Sequence, residues 1–185
     1  MRTLSGSTVI KIVPMVVLVA ACSSALLTRH PVAAARAALV DVNGGAVGTA
    51  ELWQEAGGLV HVDVSASNLA PGAHGIHFHA VGRCEGGSTA FSTAGAHYNP
   101  LNKAHGLSNP DGPHAGDAPN IQIGANGSGT LPFTTNRVTL TSGSTTLFDA
   151  DGSAIVIHAN ADDQVSQPSG NSGARIACGV VRTVP

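Results

Sequence analysis

With 185 residues, the chain has room for one domain and a leader. Charged residues make up only 11% and aromatics 3%, while 23 glycines and 10 prolines punctuate the chain, a balance that excludes a helical bundle and favours strands joined by long loops. A hydrophobic content of 43% excludes disorder, and a formal charge of −2 without a basic cluster excludes nucleic acid as a partner.

The first 21 residues read as an export signal. Arg2 and Lys11 supply positive charge, and the apolar run from Ile12 to Ala21 is too short to span a bilayer. The run closes on Val19-Ala20-Ala21-Cys22, which resembles a bacterial lipobox, a signal whose cysteine is lipidated and becomes the new N-terminus. A cut after Ala35 or Ala37 is the alternative. Losing Arg2 and Lys11 leaves seven basic residues against 11 acidic ones, a mature charge of about −4. Residues 22–37 show no strand alternation and read as a tether, with His30 a solvated residue within it; the folded domain is expected at 38–185. These features predict an exported, membrane-anchored lipoprotein of the cell envelope or periplasm.

From Ala38 the pattern is strands and turns. Leu39, Val40 and Val42 lead into Asn43-Gly44-Gly45, a hairpin signal, and Val47 to Gln54 forms the returning strand. Leu59 to Ser67 alternates, placing His61 on the surface opposite Val60, Val62 and Val64. Residues 74–79, HGIHFH, have strand character. Asn120 to Ala125 and Ser128 to Thr135 flank Asn126-Gly127 as a second hairpin, with Pro132 confining its strand to an edge or bulge. Ala154 to Ala159 and Ile176 to Arg182 complete eight strands, without a helix or a repeat.

Two stretches break this rhythm, residues 83–118 and 160–175. A loop as long as the first is either functional or disordered, and this one carries His97, His105, His114 and Asp117, so metal can order it. Of the three cysteines, Cys22 is taken by the lipid if the lipobox is used, which leaves Cys84 and Cys178 to pair in an oxidising compartment or to bind metal.

The histidines carry the chemistry. His77 and His79 stand at i and i+2 of a strand and share one face, so both can reach one ion. His158 lies on another strand-like segment, whereas His105, His114 and Asp117 belong to the loop. His97 falls between the groups, and an imidazolate can bind one ion through each nitrogen. The result is a four-nitrogen site on the barrel wall, suited to Cu(II), and a three-nitrogen, one-oxygen site in the loop, suited to zinc.

At this point the chain resembles the copper/zinc superoxide dismutases, in the bacterial exported branch. The matching stretches are LAPGAHGIHFH at 69–79, AGAHYNP at 94–100, HAGD at 114–117, IHANADD at 157–163 and GARIACGVV at 173–181. The resemblance implies an eight-stranded antiparallel Greek-key β-barrel and an enzyme that converts superoxide to dioxygen and hydrogen peroxide through a Cu(II)/Cu(I) cycle. It implies copper on His77, His79, His97 and His158, and zinc on His97, His105, His114 and Asp117. Asp162 is then the carboxylate linking the two sites through ligand histidines, Arg175 the guanidinium at the copper entrance, and Cys84–Cys178 the family disulfide. His97 would release copper and take a proton on reduction, returning both on reoxidation. His74 matches a motif histidine that is not a ligand and is expected to bond backbone. Residues 160–175 depart from many relatives: they hold no lysine, and their only charges are Asp162, Asp163 and Arg175. Membrane contact is implied only through Cys22, and monomer and homodimer both stay open. The alternative is a non-enzymatic copper- and zinc-holding lipoprotein on the same barrel, which need not keep Arg175. A cupin-type oxygenase would need a carboxylate ligand soon after His79, and only Glu85 is near.

Overall fold

Alternating small and branched apolar residues build the first sheet segment. The computed structural model describes residues 31–86 and 89–184, so the expected export signal and the expected lipidation site Cys22 lie outside the described residues. Strands β1 (Ala33–Asp41), β2 (Ala46–Gln54) and β3 (Val60–Ala66) pair antiparallel in chain order. The first turn forms where Asn43-Gly44-Gly45 predicts it: the Asp41 carboxylate accepts from the N–H groups of Asn43 and Gly45, both at 2.8 Å, and Gly44 takes a positive φ of 81°.

The tether boundary needs correction. β1 begins at Ala33, so residues 33–37 are strand, and the domain starts before Ala38. Ala35 and Ala37 are buried, while Arg36 points outward to Glu51 at 2.9 Å. The alternation is real but hidden, because alanine occupies the inward and outward positions alike. A cut after Ala35 or Ala37 would fall inside this strand.

The remaining strands are β4 (Gly72–His74), β5 (Ile76–His79), β6 (Ile121–Ile123), β7 (Gly129–Thr135), β8 (Ala154–His158), β9 (Arg175–Val180) and β10 (Arg182–Thr183). Among the described residues ten strands thus stand where eight are expected, because two expected strands are each interrupted. Gly75 splits the HGIHFH segment; a Cβ there would lie 2.9 Å from Ser172 Cβ. Val181 turns its N–H to Ser153 O at 2.9 Å and separates β9 from β10.

The main sheet runs β5-β8-β9-β1-β2-β3-β7, with β10 added to β1, and β4 pairs separately with β6. All these pairings are antiparallel. Because β4 continues into β5 and β6 turns into β7, the short β4–β6 pair spans the two edges of the main sheet. The non-sequential neighbours β3–β7, β5–β8 and β1–β9 give the Greek-key connection. Pro132 lies on β7, an end strand, where its missing N–H costs no central ladder bond. Leu39, Leu52, Val60, Val62, Ile121, Ile155 and Ile157 fill the interior; burying each contributes about 1.5–3 kcal/mol. His61 faces outward as expected, stacked on Trp53 at 4.9 Å and bonded to Glu55 at 2.8 Å.

Cys84 and Cys178 form a disulfide across 94 residues, which settles the choice between pairing and metal binding. It ties the root of the 83–118 loop to β9, and in the chain-entropy view a closure of 94 residues contributes about 4.6 kcal/mol.

Candidate metal centre

β5 ends the main sheet, so one of its edges lacks a strand partner and the long loop supplies one. Phe78 donates to Gly116 O at 2.9 Å and accepts from Tyr98 N at 2.8 Å; Gly116 N–H closes the set on Tyr98 O at 2.8 Å. Only glycine fits at 116, because a Cβ there would collide with Phe78 O. This edge contact puts His79 opposite His97 and His77 opposite Asp117. Residues scattered over 41 positions of sequence are thereby brought to one strand by main-chain bonds.

Each ring facing the barrel wall has one nitrogen anchored and one bare. His77 Nε2 bonds Asp162 Oδ2 at 2.7 Å, His79 Nδ1 bonds Gly95 O at 2.9 Å, and His158 Nδ1 bonds Gly173 O at 3.2 Å. A carbonyl only accepts, so the anchored nitrogens of His79 and His158 carry the protons and their opposite nitrogens present lone pairs. Those bare atoms are His77 Nδ1, His79 Nε2, His97 Nε2 and His158 Nε2, all buried and without a hydrogen-bond partner. The four residues offer ligand atoms within 4.8 Å of one another. Opposite corners of a tetragonal set lie about 4 Å apart at metal–nitrogen distances of about 2.0–2.1 Å, so the cluster fits one copper ion.

Burial holds these rings neutral. It lowers His79 well below its ordinary value, His97 to about 4 and His158 to about 3, and it lowers His77 against the opposing pull of Asp162. Neutral imidazole is the ligating form.

A second cluster gathers around Asp117. Its Oδ1 lies 3.2 Å from His97 Nδ1, 3.0 Å from His105 Nδ1 and 3.3 Å from His114 Nδ1. Corners of a tetrahedron with bonds of about 2.0–2.1 Å are about 3.3–3.4 Å apart, so this set fits zinc. His77 also lies close enough to group with His97, His105 and Asp117. Its Nε2 is already held by Asp162, however, whereas His114 Nδ1 is buried and lacks a hydrogen-bond partner. Asp162 joins the clusters: Oδ2 meets His77, and Oδ1 meets His105 Nε2 at 3.1 Å. His97 faces both clusters, one with each nitrogen.

Beside the four bare nitrogens a cleft of about 500 Å³ opens, lined by His79, His97, Asn99, His158, Ser169 and Arg175. Arg175 opens β9, paired with His158, and its guanidinium donates to Phe91 O and Gly95 O, each at 2.6 Å. It is a fixed cation at the mouth of a nitrogen cluster, suited to a small anion.

The comparison with known proteins agrees with this geometry. A sequence model of the copper/zinc superoxide dismutase family (SODC) matches residues 46–181. The chain belongs to this family. It is 44% identical over 146 residues to Cu-Zn superoxide dismutase 1 of Aquifex aeolicus (strain VF5), covering 78% of this chain and 85% of that one. It is also 44% identical over 126 residues to the Cu-Zn superoxide dismutase of Caulobacter vibrioides, covering 66% and 71% of the two chains. Among solved structures, a superoxide dismutase-like protein from Bacillus subtilis superposes with a TM-score of 0.71 at 38% identity, over 78% of this chain and 96% of that one. The Cu/Zn superoxide dismutase from Brucella abortus gives a TM-score of 0.66 at 26% identity, over 80% and 99%. Membership makes superoxide the substrate, and copper and zinc the cofactors, of the dismutation carried out by this family.

In this copper/zinc superoxide dismutase fold, His74 does what its motif position suggests. Its ring nitrogens meet His158 O at 2.7 Å and Ala70 O at 2.9 Å, so it braces backbone. Other contributors have no sequence signature. The carbonyls of Phe91 and Gly95 act through main-chain atoms that any residue carries. Arg137, which follows β7, donates to Asp117 O at 2.6 Å and supports the zinc-type cluster from the barrel side. Gln164 and Gln167 clasp the loop around His105. A glutamine in a polar loop gives no hint of such a contact.

Proposed function

We propose that this chain dismutes superoxide at the four-nitrogen cluster, with His77, His79, His97 and His158 holding copper and His97, His105, His114 and Asp117 holding zinc. The observation that carries this reading is the convergence of four bare, buried imidazole nitrogens beside an anchored guanidinium. Two superoxide anions and two protons become dioxygen and hydrogen peroxide. Copper supplies the one-electron couple that this exchange needs.

The protein's own groups do the rest. Arg175 binds the anion and orients it at the cleft mouth, where its two carbonyl contacts fix the charge in place. His97, which faces one cluster with each nitrogen, would carry a proton at Nε2 only while that nitrogen is free of copper, and would deliver it to the reduced oxygen, while water supplies the second. His97 Nδ1 stays on the zinc side, which keeps the ring in register. Asp162 orients His77 and His105 together. The alternative of a non-enzymatic metal holder is not favoured, since it need not keep a guanidinium at the cleft mouth, where Arg175 stands.

We further infer that the enzyme works in the cell envelope, tethered by lipid on Cys22, and protects that compartment from superoxide. The lipobox-like Val19-Ala20-Ala21-Cys22 supports this, as does a disulfide that oxidising compartments favour. The deciding experiment measures copper and zinc per chain in the purified protein and follows superoxide decay by pulse radiolysis. A metal-loaded chain that leaves superoxide decay at its spontaneous rate would overturn the reading.

A further inference from the structure

His105 has every hydrogen-bonding group engaged by protein. Its ring nitrogens meet Asp117 and Asp162, as described above. Its main-chain N–H donates to Gln167 Oε1 at 2.9 Å, and its carbonyl accepts from Gln167 Nε2 at 3.0 Å. One amide thus pairs with both main-chain groups of one residue, as a neighbouring strand would.

Gln164 makes a matching clasp on the flanks. Its Oε1 accepts from Leu107 N at 3.2 Å, its Nε2 donates to Ala118 O at 3.1 Å, and its own carbonyl accepts from Ser108 N at 3.2 Å. Its N–H donates to Asp162 Oδ1 at 2.6 Å. Gln164 sits at a φ of +64°, a conformation that favours glycine, so its placement is imposed by these contacts. Gly106 allows the approach: a Cβ there would collide with Gln164 O. The 160–175 segment therefore presents neutral amides, instead of a row of charges, to the loop that bears His105, His114 and Asp117.

We propose that Gln164 and Gln167 are positioning residues for the zinc site, holding His105 and its flanks in the ligating arrangement before the ion arrives. This rests on the assignment of zinc to His97, His105, His114 and Asp117. A loop without regular structure samples many conformations, and a site competent only part of the time binds with affinity reduced by that fraction. The two amides raise the fraction. Neither belongs to the assigned ligand set, so their effect is on affinity and not on the identity of the ligands. Gln167 lies at the surface, where water competes for its bonds, so the two clasps are best removed together.

The test compares the parent, Gln164→Met, Gln167→Met, the double variant and Asp117→Ala, all as the full chain stripped of metal. Zinc affinity is read by chelator competition, copper affinity likewise, and the ligand geometry by the visible spectrum of cobalt(II) in the zinc site. Melting temperatures are taken with and without zinc. The double variant is expected to bind zinc at least tenfold more weakly, with copper affinity within twofold of the parent and the same cobalt spectrum at saturation. Its gain in melting temperature on adding zinc should shrink. A zinc affinity within twofold of the parent would overturn the proposal, as would equal losses of melting temperature with and without zinc. Should the double variant fail to fold, Gln167→Met alone must still weaken zinc by more than twofold. If Asp117→Ala binds zinc as tightly as the parent, the zinc assignment itself falls, whatever the glutamine variants do.

Discussion

Arg175 and His79 hang from the same oxygen. The Gly95 carbonyl accepts from His79 Nδ1 at 2.9 Å and from Arg175 Nη2 at 2.6 Å. One main-chain atom therefore fixes both a ring of the copper-type cluster and the cation that faces it. The segment supporting that atom is sharply bent: Phe91 has a φ of 54° and Gly95 a φ of 75°. A Cβ on Gly95 would sit 3.1 Å from Val81 Cγ2, so a larger residue would shift anchor, ring and cation together.

Arg175 should dominate substrate attraction. Superoxide is a small anion, the chain carries a formal charge of −2, and between His158 and Arg175 the only charges are Asp162 and Asp163. Asp162 is committed to two histidines. Arg175→Glu is expected to lower kcat/KM by about tenfold or more, with metal content unchanged. Lys103, in a turn closed by Asn99 at the cleft rim, is a weaker contributor, so Lys103→Glu should cost less. The parent rate should fall as salt rises. Pulse radiolysis across a salt series checks all three; an Arg175→Glu rate within about twofold of the parent would sink the steering role.

Asp117 should matter more for stability than for copper. Its Oδ2 accepts from Gly106 N at 2.8 Å and His114 N at 2.9 Å while Oδ1 faces three ring nitrogens, all in a loop without regular strands. Removing one partner from a buried charged network costs about 3–5 kcal/mol, which lowers the melting temperature by roughly 10 °C in a chain of this size. Asp117→Ala should lose zinc and melt early while keeping copper. His79→Ala should abolish dismutation while keeping zinc. Metal analysis, calorimetry and activity on the two variants separate the roles; an Asp117→Ala protein that melts like the parent would show the site is not structural.

Side-chain chemistry was legible in the sequence, and main-chain geometry was not. His77-x-His79 announces itself because strand periodicity fixes which way both rings point. The Asn-Gly turns and the valines of β3 mark their elements in the same way. The start of β1 stays hidden because alanine carries no contrast between inward and outward positions. The breaks at Gly75 and Val181 answer to neighbours distant in sequence, as Ser172 and Ser153 show. The closure of the loop onto β5, the Gly95 carbonyl and the Gln167 clasp all act through backbone groups common to every residue, so only the folded chain reveals them.

Export and anchoring through Cys22 make a separate prediction. The apolar run ends at Ala21 and Cys22 follows at once. One acyl chain binds membranes only marginally, so stable anchoring needs the multiple acylation typical of lipoproteins. Mass spectrometry of the mature N-terminus should find acylated Cys22. A free N-terminus near Arg36 or Ala38 would refute the anchor, and such a cut would also remove the first residues of β1.

Zinc uptake should be steeply pH-dependent because of His105. Its ring lies between two carboxylates, with Nδ1 3.0 Å from Asp117 Oδ1 and Nε2 3.1 Å from Asp162 Oδ1. Burial alone would keep it neutral, but the two carboxylates prevail and raise its pKa from 6.5 to about 9. In the metal-free protein near pH 7, both ring nitrogens therefore carry protons. Zinc needs a lone pair on Nδ1, so each ion bound there displaces one proton. Between pH 7 and about 9 zinc affinity should rise roughly tenfold per pH unit and then level off. Stability of the metal-free fold runs the opposite way. A raised folded-state pKa contributes stability fully below 6.5, and that contribution is lost as pH rises through about 9. The same window thus strengthens zinc binding while loosening the empty loop. Chelator competition at pH 7, 8 and 9, with proton release measured in weak buffer, checks the first trend, and melting of the metal-free protein over that range checks the second. A zinc affinity that stays flat from pH 7 to 8 would show that His105 does not carry the displaced proton.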